Sequence, residues 1–300
     1  MDAEITQTIE RFSGINNVDP VTRISPTVAD HRYVYQLQQA NNMEIDNTFS
    51  IKSRSGYASV KTGTDIHSMW SNGKVWFYVD GSILYQMDEI YGTKTIRSDL
   101  TKGAQMSYAP WNDRYYYTNG YQKGYVKNGV DYAFTDPAQN FKKPLPAGQL
   151  IEYFNACLYV AVGKILYIGD PLCDYYDTRK GYKQFSNYIN MVRAVDDGLF
   201  VSDDRVWFVK GKGADEFTRD EVYPSKAIMH TDVRVNAKYI DDQMSGNVAM
   251  WTGENGICLG DNSGNVMNLT EARYTFTARG RGTGFIRENG NVRHYINALY

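Results

Sequence analysis

An all-β ring of repeated four-stranded units, a β-propeller, is the fold class this 300-residue sequence predicts. Three observations carry it. Composition is the first: 25 Tyr, 12 Phe and 5 Trp accompany 26 Gly, and aromatic side chains suit pleated sheets while Gly suits tight turns. The second is a turn signal that recurs along the chain, at Asn72-Gly73, Asn112-Asp113, Asn155-Ala156, Asp197-Gly198, Asn255-Gly256 and Asn289-Gly290, with first residues 40, 43, 42, 58 and 34 apart. Three of these intervals lie near 42, the length of a four-stranded blade. The third is an inner register: Asp80-Gly81, Asn119-Gly120, Val162-Gly163, Asp203-Asp204 and Ser263-Gly264 follow the first five signals by 6 to 8 residues. An ordinary sandwich has turns every 8–12 residues but no reason to repeat a larger unit.

Each unit reads as strand, turn, strand, turn, strand, because Asn-Gly and Asp-Gly supply the positive φ of hairpin turns. Second strands are expected at 74–79, 114–117 and 157–161, third strands at 82–85, 164–168, 205–209 and 265–269, and outer strands at 93–97 and 130–134. Five units are complete. The sixth has only a C-terminal pair near 291–296, and its missing strands are supplied by 42–46 and 49–54. A ring closed by strands from both chain regions leaves no open sheet edge. The expectation is therefore a six-bladed propeller over residues 31–300 with a composite last blade, preceded by an extended arm over 1–30. Seven blades is the alternative, since the 58-residue interval around 228–249 has room for extra strands. Length alone suggests two domains; the repeat makes most of it one ring.

Charge is nearly balanced, 32 Lys plus Arg against 34 Asp plus Glu, so the overall basic footprint of a nucleic-acid binder is missing. Three widely spaced Cys (Cys157, Cys173, Cys258) form neither a disulfide framework nor a metal clip and read as reduced thiols. No run of 18 apolar residues and no signal-peptide pattern occurs, so the expectation is a chain made in a cytoplasm without a membrane-spanning segment.

Two segments are more specific. Phe12-Ser13-Gly14-Ile15-Asn16-Asn17-Val18-Asp19-Pro20 is followed by Ala40-Asn41-Asn42-Met43-Glu44-Ile45-Asp46 and by Ile51-Lys52-Ser53-Arg54-Ser55-Gly56-Tyr57. Together they resemble the opening of β-propeller virion proteins of tailed phages, similar to short-tail nozzle or tail hub proteins. Phe49 departs from the family, which often has Gly at that turn. The resemblance implies a structural protein of the virion tail, synthesised in the host cytoplasm and assembled as a homo-oligomeric ring, a hexamer by analogy. It implies adaptor or head-to-tail connector proteins above, tail fibre or needle proteins as further partners, and transient contact with genomic DNA during ejection.

Under that reading the candidate assembly arm is Phe12, Ile15, Asn16, Asn17 and Val18, which could add a strand to a neighbouring subunit. Candidate subunit contacts are Tyr115, Tyr116 and Tyr117, with Tyr121 and Tyr125 near them, and Tyr175 and Tyr176; Tyr offers contact area at low entropic cost. Arg279 and Arg281 are candidates for a phosphate backbone or a subunit salt bridge.

Signals for catalysis are weak. Asp80, Asp113, Asp170, Asp196 and Asp203 lie in or beside turns, where Asp is favoured for local hydrogen bonds. His31, His67, His230 and His294 have no metal-ligand spacing, and the loop 260–265 lacks the closing Glu of a calcium loop. The expectation is a non-enzymatic protein with no cofactor and no metal. The rival is a host-glycan-binding or glycan-cleaving propeller, which calls for exposed aromatics and paired carboxylates at one mouth of the ring.

Overall fold

The computed structural model describes residues 11–20, 23–24, 26–29, 32–46, 48–54, 56, 58–240, 243, 245–289 and 292–300. Residues 1–10 of the expected arm, His31, Asn47, Tyr57 and the Gly290 of one turn lie outside them.

The repeated turn chemistry folds as hairpins. Asn112 (φ 54°) and the pair Asn155 and Ala156 (φ 47° and 66°) take the left-handed conformation that a two-residue hairpin turn requires. Their flanking residues pair directly, Trp111 with Arg114 and Phe154 with Cys157. Among the described residues five four-stranded antiparallel sheets result. The first comprises Ile66–Ser71, Trp76–Asp80, Ile83–Met87 and Thr93–Arg97. The second comprises Ser107–Trp111, Arg114–Thr118, Lys123–Lys127 and Val130–Tyr132. Leu150–Phe154, Cys157–Val162, Ile165–Ile168 and Tyr182–Gln184 form the third. Met191–Ala194, Leu199–Ser202, Val206–Lys210 and Thr218–Tyr223 form the fourth, and Val233–Asn236, Asn247–Gly253, Gly256–Gly260 and Val266–Asn268 the fifth. The strands within each sheet follow chain order, and from the second sheet onward the first strand of each packs beside the first strand of the next. That succession of up-and-down sheets around inner strands is a β-propeller.

The long interval around 228–249 holds the end of the fourth sheet, a crossing segment and the start of the fifth, with no further sheet among the described residues. At the ring's seam, Gly282–Asn289 pairs with Val292–Leu299, and Met43–Ile45 pairs with Ile51–Ser53. These hairpins, expected to share one blade, are each hydrogen-bonded within themselves; no ladder joins them among the described residues. Side chains join them instead: Arg287 donates to the buried Glu44 at 2.5 Å, and Arg54 approaches the same carboxylate at 3.8 Å. The C-terminal hairpin also packs on the fifth sheet, where Tyr295 donates to the Thr231 carbonyl at 2.7 Å and Asn297 to Thr252 at 2.8 Å. The approach there is close enough that a Cβ on Gly284 would sit 2.2 Å from the Thr231 oxygen.

The described arm residues are used within their own chain. Phe12–Ile15 runs parallel to Arg32–Leu37, which also pairs with Thr27–Ala29. Asn16 is buried and binds Asp19 and Gln36, while Asn17 donates to the Thr275 carbonyl at 3.0 Å and accepts from the Thr275 N–H at 2.8 Å. Phe12, Ile15, Asn16 and Asn17 therefore spend in cis the bonds expected to reach a neighbour; Val18 stays exposed. Asn17→Ala should cost about 1 kcal/mol, the worth of a partly exposed hydrogen-bond pair. Hydrogen exchange would show the Thr275 amide exchanging faster while the strands of the second and third sheets keep their protection; an unchanged Thr275 amide would contradict the docking.

Blades are held together by apolar layers and by buried hydroxyls. Between the first and second sheets lie Phe77, Val79, Tyr108 and Tyr117, with Trp70 stacked on Tyr108 at 5.8 Å. Tyr116, Leu145, Leu158 and Val160 fill the next interface, where Trp111 stacks on Tyr153 at 5.2 Å. Thr118 accepts from the Gly148 N–H at 2.9 Å, and Ser202 accepts from the Ala227 N–H at 2.9 Å, each binding the segment that leads into the following sheet.

On the rim of the third sheet, Arg179 and Lys142 converge on the buried Asp177 at 2.6 and 3.4 Å. The Arg179 side chain, then its N–H, holds that carboxyl well below its ordinary value of 3.8. A depressed carboxyl contributes stability above its unfolded pKa and loses it as the folded pKa is approached. Wild type and Asp177→Asn should thus differ in thermal midpoint at pH 7 and converge as pH falls below about 4. A gap that stays constant from pH 7 to pH 3 would rule out this linkage.

Candidate functional site

The segments that lead into the inner strands, together with the hairpin turns beside them, converge on one mouth of the ring. They enclose a cavity of about 400 Å³, lined by residues of 101–105, 119–121, 147–149, 162–163, Tyr188, Met229, His230 and Arg281. No Asp or Glu among the described residues lines it. Its cations are the exposed Lys102 and Arg281, neither of which has an ion-pair partner among the described residues. Two phenols stand at the rim, Tyr121 (70% exposed) and Tyr188 (48% exposed).

His230 is half-buried in the wall, and burial pushes its imidazole down to about 4, so it is neutral at physiological pH. It takes φ 65°, a conformation that costs a non-glycine residue about 1 kcal/mol or more. The pairing of 229–231 with the C-terminal hairpin holds it there: Gly282 donates to the Met229 carbonyl and Gly284 to the His230 carbonyl, both at 3.1 Å.

The inner strands place three charged groups side by side. Arg193 donates to Glu152 at 2.8 Å and to Asp232 at 2.7 Å. These residues belong to the third and fourth sheets and to the approach of the fifth, and both carboxylates are buried. One guanidinium fork between two carboxylates is strong, geometrically specific pairing. It ties three blades together at their inner strands and leaves neither carboxylate free to act as acid or base. Sequence reasoning overlooked all three residues. The signal it had was their spacing, 41 and 39 residues, close to the repeat length.

The residues singled out from sequence scatter. Tyr116 and Tyr117 are 0% exposed and spend their area between blades, so they are unable to reach a partner. Tyr115 is half-buried against Trp70 and Phe77. Tyr175 and Tyr176 pair with the short strand Lys142–Pro144, and Tyr176 packs edge-on against Tyr167. Arg281 reaches the cavity, while Arg279 is exposed outside it.

The turn aspartates are engaged locally. Asp80 accepts from the Thr64 and Asp65 N–H groups, Asp113 pairs with Lys127, and Asp170 pairs with Lys142. Asp196 binds Asn247, and Asp203 accepts from the Trp207 indole at 2.9 Å. In the loop 260–265, Asp261 accepts from the Ser263 and Asn265 N–H groups. Among the described residues no group of three or more His, Cys, Asp or Glu is placed to hold a metal. The three cysteines are free thiols, and burial pushes those of Cys157 and Cys258 up to about 11. No described helix is long and apolar enough to cross a membrane.

No family model and no curated protein matches the chain. Solved structures do. BBS1N in its complex with ARL6DN is 10% identical, with 98% of this chain and 95% of that one covered at a TM-score of 0.48. A gluconolactonase of Xanthomonas campestris is 9% identical, with coverage of 79% and 87% and a TM-score of 0.46. The WD40 domain of Neurospora crassa Pan2 is 13% identical, with coverage of 73% and 67% and a TM-score of 0.39. An enzyme and a WD40 domain stand side by side among them, so they carry no functional conclusion for this chain.

Proposed function

We propose that this chain is a non-enzymatic structural protein of a phage tail, a nozzle or hub component whose rigid six-bladed propeller assembles into a homo-oligomeric ring. What carries the reading is the joint at the seam. The two N-terminal motifs that resemble phage tail propellers are spent together on holding the chain's C-terminal region, Asn17 on residues 273–275 and Glu44 on Arg287. A motif that closes the ring has a reason to exist in a protein whose task is to stay rigid.

The genome lumen in this reading lies between subunits. Within one propeller Arg193 ties Glu152 and Asp232 of neighbouring blades side by side, which argues against threading a duplex between them. Surface for assembly is available on the first sheet, where Val60, Ile66, Met69, Trp76, Tyr78 and Met87 line an apolar groove of about 240 Å³. Exposed apolar patches of this kind mark contact sites. Adaptor, fibre or needle proteins would engage the loop-bearing faces, with DNA passing in transit. Glycan cleavage is disfavoured, because the paired carboxylates it needs are both clamped by Arg193.

Electron microscopy of the purified chain, alone and with the tail proteins encoded beside it, tests the proposal. Closed rings that are lost in Met69→Asp support it. A chain that stays monomeric in every mixture and never enters a tail particle sinks it.

A further inference from the structure

The cavity at the mouth of the ring has a selective lining. A volume of about 400 Å³ falls within the range of small-molecule sites, roughly 300–1,000 Å³. Its wall has two cations and no carboxylate, whereas the chain as a whole has slightly more Asp plus Glu than Lys plus Arg. Such segregation favours a negative ligand. Asp232, whose charge acts on the His230 imidazole, is already paired with Arg193.

Lys102 and Arg281 lie 179 positions apart, one before the second sheet and one at the start of the C-terminal hairpin, and only ring closure brings them to the same cavity. Around them, Gln149 is held by its bonds to Gly163, so the wall is preorganised. His230 is different: its ring nitrogens have no hydrogen-bond partner among the described residues, although the backbone that carries it is strained and fixed. A strained residue with an uncommitted polar ring in a cavity wall is the kind of feature that persists for a ligand. Tyr121 and Tyr188 add flat, amphipathic surface at the rim.

We propose that this axial cavity binds a small organic anion, a carboxylate or phosphate carried on a body of monosaccharide size. Arg281 and Lys102 take the charge, the neutral His230 imidazole hydrogen-bonds the body, and the two tyrosines cover it. The site belongs to the single propeller, so it stands whether or not the chain assembles into a tail.

Titration calorimetry on the full chain, with glucuronate, glucose 6-phosphate, glucose and inorganic phosphate as probes, tests it. Saturable binding of one or both sugar anions is expected, with glucose silent and inorganic phosphate at least ten-fold weaker. Arg281→Gln and Lys102→Gln should each weaken binding about ten-fold, the worth of one charge-assisted contact. Arg279→Gln, outside the cavity, should leave it unchanged, and unchanged thermal midpoints would show that the variants fold. The proposal is overturned if neither sugar anion binds at millimolar concentration. It is also overturned if Arg279→Gln weakens binding as much as Arg281→Gln, or if phosphate alone binds as tightly as the sugar phosphate. Ring formation is scored separately, so loss of binding and loss of assembly are distinguishable.

Discussion

Arg193→Met is expected to destabilise the protein by about 3–5 kcal/mol, the cost of removing one partner from a buried ionic cluster. The physical cause is what stays behind. Glu152 and Asp232 have side chains only 2% and 4% exposed, and Arg193 is their shared cation. Without it, two like charges remain in a poorly solvated place, one on the inner strand of the third sheet and one just before that of the fifth. Urea unfolding at pH 7 measures the loss. The triple variant Glu152→Leu, Arg193→Met, Asp232→Leu should recover most of it, because well-packed apolar groups replace a buried ion cluster at little or no cost. If Arg193→Met is as stable as wild type, the cluster is not a determinant of inner-strand geometry.

Trp251→Ala is the second large effect, also about 3–5 kcal/mol for truncating a fully buried aromatic. Trp251 is 0% exposed and links the fifth sheet to the fourth through Phe200, whose ring centroid lies 5.5 Å away and which itself packs 4.9 Å from Phe208. Trp251→Phe should be far milder, below about 2 kcal/mol, for a reason beyond size. The indole N–H is buried with no hydrogen-bond partner among the described residues, so removing it gives up no bond. Hydrogen exchange would locate the damage: protection falls in 199–202 and 247–253 and survives in 114–118. Uniform loss across all sheets would mean that the blades unfold as one unit and that this interface is not separately weakened.

Much of this architecture was readable because its causes are local. Asn112 and Asn155 adopt positive φ for reasons confined to their own turns, and each turn fixes the register of the strands beside it. Central strands therefore appeared in the sequence near their observed places, among them 114–117, 157–161 and 205–209, and Thr93–Arg97 falls where it was expected. Residues whose roles depend on distant partners were read poorly. Tyr116 and Tyr117 looked like contact residues, since a tyrosine on a strand carries the same letter whether it faces solvent or the next blade. Asn17 looked free to reach a neighbour, because its partner lies 258 positions away.

The candidate site divides in the same way. Lys102, Tyr188, His230 and Arg281 sit on separate connections with nothing in their neighbourhoods to link them, and Glu152, Arg193 and Asp232 lie on or just before the inner strands of successive units. By itself the sequence determined the hairpin turns, the central strands between them, the repeat and hence the fold class, since turn stereochemistry and alternation act over a few residues. Only the tertiary structure decided which side chains meet at the axis, which tyrosines are buried and where the arm docks. Closing a ring brings equivalent positions of consecutive blades together, and that juxtaposition is a property of the whole chain that no local stretch encodes.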